Sequence, residues 1–182
     1  RDYKQALEIL IGFVYCHSKA STYRQLGMVA GGLREYEETR RDDQQTLEII
    51  SGFGDRYSQA STYHQLGIVA QTLREYEEAR RNYQQALEIK IEFGDRYSQA
   101  STLNQLGLVA QYTENPEEAL NFFLQALQTY AQFEDGHNGA IVFRNIGKLY
   151  TQTQDETLLT ATAKLLHTTP DDLRQQFTRQ QS

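Results

Sequence analysis

The sequence predicts an all-α chain, a solenoid of stacked antiparallel helix pairs, and three observations carry that prediction. The ten residues Phe53 to Thr62 recur letter for letter as Phe93 to Thr102, an offset of forty positions. On the same ruler, Leu33 to Glu38 repeats as Leu73 to Glu78, and Gln84 to Ile89 answers Gln44 to Ile49. Within each unit, apolar and small residues return every three or four positions, the period of a helix with one buried face. A fixed repeat of twenty to fifty residues belongs to a stacked architecture, in which each unit rests on its neighbours.

Taken in order, Arg1 to Ile11 align with Arg81 to Ile91, the back half of a unit, so residues 1–16 read as a half repeat and the chain as a fragment of a larger, bacterial protein. Complete units start near residues 17, 56, 96 and 137 and the array extends to 152. The first of them is degraded. Gly31 and Gly32 close its first helix, Thr39 replaces Ala79, and Asp43 stands where Tyr3, Tyr83 and Phe123 stand in the others. An acid there either faces water or carries a burial cost. Its helix, about 34–50, is expected to be the loosest element, by drift within the repeat or, functionally, as a hinge or an opening for a partner.

The second unit is the type. Asp55 follows Gly54 at an N-cap position, and Tyr57, Ala60, Tyr63, Leu66, Gly67 and Ala70 define a first helix over about 56–71. Tyr76, Ala79, Tyr83, Ala86, Leu87 and Ile91 define a second over about 75–92, ended by Gly94. The small residues lie where two helices approach closely. In the third unit the first helix covers about 96–112 and the second starts at Pro116, which a first turn accepts because no donor is lost there. The fourth keeps a first helix through Ala140, Phe143, Ile146, Gly147 and Tyr150 but shows no second helix of the repeated type. Residues 153–182 read as atypical capping helices: one over 156–167, then one opened by Thr169-Pro170-Asp171-Asp172.

The spacing Tyr63-x2-Leu66-Gly67-x2-Ala70, then Ala79-x3-Tyr83-x2-Ala86, resembles the tetratricopeptide repeat. It returns in register at Leu26-Gly27, Leu106-Gly107 and Ile146-Gly147. Six extra residues per unit, and Ile91 where a helix-ending proline is usual, make it similar to the forty-odd-residue subtype of Pins-like adaptors, kinesin light chains and bacterial arrays attached to signalling enzymes. The resemblance implies a right-handed superhelix whose first helices line a concave wall. It places partner contacts at Arg24, His64, Asn104 and Arg144, at Gln25, Gln65, Gln105 and Asn145, and after each glycine at Met28, Ile68, Leu108 and Lys148, then Gly31, Gln71, Gln111 and Thr151. The Arg, His, Asn, Arg row varies inside an otherwise copied unit, as a binding surface would. Side-chain amides suit the backbone of an extended peptide, and Arg24, Arg144 and Lys148 favour an acidic peptide or a terminal carboxylate. The Lys and Asn pair that holds chaperone tails is replaced by Arg24 and Met28, so that clamp is not expected.

Composition excludes other classes. A net charge of −6 and a pI near 5.2 argue against nucleic acid, which needs clustered Lys and Arg. Cys16 is alone, which rules out a disulfide within the chain and fits a reducing, cytoplasmic setting. No apolar run is long enough for a membrane span. The four histidines, at 17, 64, 137 and 167, have no ligand-like spacing, and Ser21, Ser61 and Ser101 recur as scaffold. Glu37 with Arg41 and Glu77 with Arg81 read as helix-surface ion pairs, worth roughly 0.3 kcal/mol each. No metal, cofactor or catalytic group is expected. The function that follows is a non-enzymatic module binding an extended peptide or protein segment. The alternative is a structural, regulatory or self-association arm of a multidomain signalling ATPase or protease. The apolar face of Tyr3, Leu7 and Leu10 offers a route to a homodimer.

Overall fold

The structure, a computed structural model, describes residues 33–52 and 54–179. The half repeat with its homodimer face, the first helix of the first unit, Cys16, Arg24, Gln25, Met28 and Gly31 lie outside the described residues. The described residues form eight helices and no strand: α1 (Leu33–Gly52), α2 (Arg56–Thr72), α3 (Tyr76–Glu92), α4 (Arg96–Tyr112), α5 (Pro116–Gln132), α6 (Gly136–Thr153), α7 (Glu156–Leu166) and α8 (Pro170–Arg179). They fall into two compact units, one ending at Phe93 and one starting at Gly94.

In the first unit, Oδ1 of Asp55 accepts from the Ser58 backbone N–H at 3.1 Å and starts α2. Residues 73–75 turn the chain through a left-handed Arg74 (φ 63°), and the Glu75 N–H returns to the Ala70 carbonyl at 2.8 Å. So short a turn makes α2 and α3 antiparallel neighbours. At their crossing the Tyr83 ring lies flat on Gly67: a Cβ on that glycine would stand 2.5 Å from the ring. Tyr83, Ala79, Ala86 and Ile89 are fully buried there, and a ring so covered contributes on the order of 2 kcal/mol by area. α1 packs on α2 and is held to the α2–α3 turn by Arg40, which bonds Glu75 and approaches Glu78 at 4.0 Å. Glu37 reaches Arg40 at 4.0 Å rather than Arg41.

Asp43 is buried, not solvated. It is 5% exposed and its Oδ2 has no hydrogen-bond partner. Burial first, and the neighbouring Asp42 second, push its carboxyl up to about 7.

The second unit repeats the pattern. Asp95 and Asp135 cap α4 and α6 by accepting from the Ser98 and Asn138 N–H groups at 3.0 Å, and Asn115 caps α5 ahead of Pro116. Phe123 covers Gly107 as Tyr83 covers Gly67. The fourth pair corrects the expectation that its second helix is missing. A Cβ on Gly147 would meet the Phe177 ring at 2.8 Å, so α8 supplies the aromatic that α3 and α5 supply elsewhere. Thr169-Pro170-Asp171-Asp172 stands in register with Asn115-Pro116-Glu117-Glu118, and Thr169 and Asp172 bond each other reciprocally. Phe177 lies thirty residues past its glycine where Phe123 lies sixteen past Gly107. The fourteen added residues hold α7, which packs on α8 and buries Leu158, Leu159 and Ala163. A register held at the copied distance passes over this second helix, because its aromatic arrives fourteen residues late, after another helix of about three turns.

Candidate protein-binding face

Of the residues expected to contact a partner, those within the described residues sit on first helices, α2, α4 and α6. The leucine or isoleucine before each glycine, and the valine or leucine two residues after it, turn inward: Leu66, Val69, Leu106, Val109, Ile146 and Leu149 are buried. Periodicity then leaves positions three and two before the glycine, and one and four after it, on the opposite side.

On α2, His64, Gln65, Ile68 and Gln71 are half-buried. The His64 ring rests 5.4 Å from that of Tyr83, tilted by 57°. Gln71 is engaged, because its Oε1 accepts from the Tyr83 hydroxyl at 2.7 Å. That bond satisfies a phenol that burial holds in its neutral form.

On α4 and α6, within the second unit, the structure brings several of the expected residues together. Asn145 donates through Nδ2 to Oδ1 of Asn104 at 2.9 Å and is only 7% exposed. Gln111 donates to Gln152 at 2.6 Å, a partner that sequence spacing does not suggest. Gln105 and Leu108 are half-buried, while Arg144 and Lys148 are exposed one turn apart on α6. Neither of these two cations meets a carboxylate among the described residues.

Charge is divided between the two kinds of helix. α2, α4 and α6 contain no Asp or Glu, whereas α1 carries six, α3 four and α5 two. The negative charge of the described residues therefore lies on second helices and turns and not on first helices. The sequence holds this division in plain view, but it emerges only once the helices are delimited.

A groove of about 460 Å³ lies elsewhere in the second unit, floored by Leu127, Tyr130, Gly139 and Phe143 and closed by Leu166. It follows from the shorter α8. Ala60 and Ala100 are buried, whereas the register-equivalent Ala140, which lines the groove, is exposed. Among the described residues no helix is long and apolar enough to cross a membrane, and no group of His, Cys, Asp or Glu could hold a metal ion.

The tetratricopeptide repeat family matches the chain over residues 18–92 and 98–157, well over half of its length. No curated protein matches the sequence. Among solved structures, the chain is similar to the crystal structure of BtubC (BKLC) from P. vanneervenii, with a TM-score of 0.53 at 16% identity, covering 92% of this chain and 74% of that one. At that identity the likeness concerns the fold alone. The chain belongs to the tetratricopeptide repeat family.

Proposed function

We propose that this chain is a non-enzymatic recognition module that holds an extended, acidic protein segment against its first helices, the side that is concave in the family's arrangement. Members of this family mediate protein–protein contacts through such repeats, and the class of partner follows from charge. One observation carries the reading: the first helices lack acids altogether, and α6 adds Arg144 and Lys148, exposed on one face and free of carboxylates among the described residues. A carboxylate arriving there gains charge-assisted hydrogen bonds and meets no like charge on the helices that receive it. In the same unit as Arg144 and Lys148, the half-buried Leu108 adds apolar surface for the segment's stem.

The test uses a fluorescein-labelled decapeptide of alternating glutamate and alanine, and its glutamine counterpart, by anisotropy at two salt concentrations. The glutamate peptide is expected to bind more tightly, less so at high salt. The double change Arg144→Glu with Lys148→Glu should weaken it by about tenfold or more. Equal binding of both peptides, or a double variant that binds as well as the parent, overturns the proposal.

A further inference from the structure

In the pair formed by α4 and α5, Phe123 seats on Gly107, and about two turns farther along α5 the Tyr130 hydroxyl is hydrogen-bonded to the Ser101 side chain. The last half of α5 thus lies along the first half of α4, as antiparallel neighbours must. α5 runs to Gln132, nine residues past Phe123, whereas α8 ends at Arg179, two past Phe177. Among the described residues, α8 therefore has no counterpart of the stretch from Ala126 to Gln132. The half of α6 that such a stretch would meet is apolar and uncovered. Ala140 is exposed and Phe143 half-buried, where Ala100 and Leu103 are buried on α4. Ile141, 37% exposed, stands at the register of Ser61 and Ser101, so a hydrocarbon replaces the serine where its tyrosine partner is absent.

The sequence holds a copy of the absent half-helix. Gln5-Ala6-Leu7-Glu8-Ile9 is identical to Gln85-Ala86-Leu87-Glu88-Ile89, in which Ala86 and Ile89 are fully buried on α3. Leu10 falls at the register of Tyr130, so it answers Ile141 with a hydrocarbon as Tyr130 answers Ser101 with a hydroxyl. Arg179, the last residue of α8, stands at the register of Gln5, so Ala6 to Ile11 takes up where α8 leaves off. Residues 180–182, Gln-Gln-Ser, bring no apolar side chain to those positions. Independently of the function proposed above, we infer that residues 6–11 of a second copy seat in the groove of Leu127, Tyr130, Phe143 and Leu166 and complete the fourth pair, joining copies head to tail. In a repeat array each unit meets only its neighbours, so the segment comes from another copy. A contact between two different surfaces builds open chains or rings, not a two-fold dimer.

The experiment is sedimentation velocity on the whole 182-residue chain at low and high salt. It compares the wild type, Leu10→Glu, Ile141→Glu and an equimolar mixture of the two variants, each checked for folding by circular dichroism. The wild type should associate further as concentration rises, and salt should not weaken an apolar contact. Each variant alone should be monomeric, because a charge placed in the contact must give up its water. The mixture should form a dimer and stop there, since the Leu10→Glu copy keeps its groove and the Ile141→Glu copy keeps its segment. A fluorescein-labelled peptide of residues 1–16 should bind the Leu10→Glu chain, and adding Ile141→Glu to that chain should weaken it by about tenfold or more. A wild type that stays monomeric, an Ile141→Glu chain that still self-associates, or a mixture no larger than its parts overturns the inference. So does a peptide that binds equally well with and without Ile141→Glu.

Discussion

Tyr97 donates its hydroxyl to Oδ2 of Asp135 at 2.6 Å, and the same carboxylate caps α6 through the Asn138 N–H at 3.0 Å. The start of one unit's first helix is thereby tied to the start of the next. The Tyr97 ring also stands edge-on to Phe133 and Tyr130, with centroids 5.5 and 5.7 Å away. The second copy of the ten-residue stretch thus joins two neighbouring helix pairs within the second compact unit.

Three donors on one carboxylate hold Asp135 down at about 2, the Asn138 backbone N–H first and then the Tyr97 hydroxyl. A group lowered on folding contributes stability that is present above its ordinary value near 3.8 and is lost as pH falls through 2. Titration of the Asp135 carboxyl by NMR should therefore show a midpoint below those of surface aspartates. Tyr97→Phe should move it up part of the way. A midpoint that does not respond to Tyr97→Phe would show that the hydroxyl contributes nothing.

Asp43 works in the opposite sense. Its carboxyl is raised from 3.8 to about 7, so the folded state is favoured below 3.8 and that advantage disappears as pH rises through 7. Asp43→Asn should remove this dependence and stabilise the first unit at pH 8 by about 2–4 kcal/mol, taking the shift at 1.4 kcal/mol per unit as an upper bound. Urea denaturation of parent and variant at pH 5 and pH 8 checks it. A difference between the two proteins that is the same at both pH values counts against a buried, unpartnered carboxyl.

Gly67→Ala places a methyl 2.5 Å from the Tyr83 ring, which is fully buried and cannot step aside. The change should cost about 1–3 kcal/mol, the usual cost of overpacking. If the ring is the obstacle, Tyr83→Leu should cost less in the Gly67→Ala background than in the parent. Strict additivity in a double-mutant cycle would refute it.

Phe177→Ala removes the ring that fixes α8 to Gly147 and should destabilise this end of the chain by about 3–5 kcal/mol. Limited trypsin digestion should then cut first at Lys164 and Arg174, on α7 and α8. Protection equal to that of the parent would mean that α8 is held by other contacts.

The helices themselves are legible in the sequence because their ends carry local chemistry: Asp55, Asp95 and Pro116 act within one turn, and the structure places each where spacing predicts it. The glycine–aromatic crossings are legible as small residues opposite large ones. Pairings between side chains on neighbouring helices are not. Asn104 with Asn145, Gln111 with Gln152 and Tyr83 with Gln71 depend on how far one helix is rotated against another, a fraction of a turn that no repeat motif encodes. Phe177 escapes for a different reason, since a helix displaced along the chain keeps its partners while losing its register.

That displacement has a practical corollary. Phe177 seats on Gly147 across an intervening helix much as Phe123 seats on Gly107 across a three-residue turn, so the tether between paired helices does not set the quality of their fit. The link from first to second helix is therefore a graft point. A reporter, a protease site or a foreign loop spliced at 73–75 or 113–115 should be carried as an appendage, with the same crossing re-forming behind it.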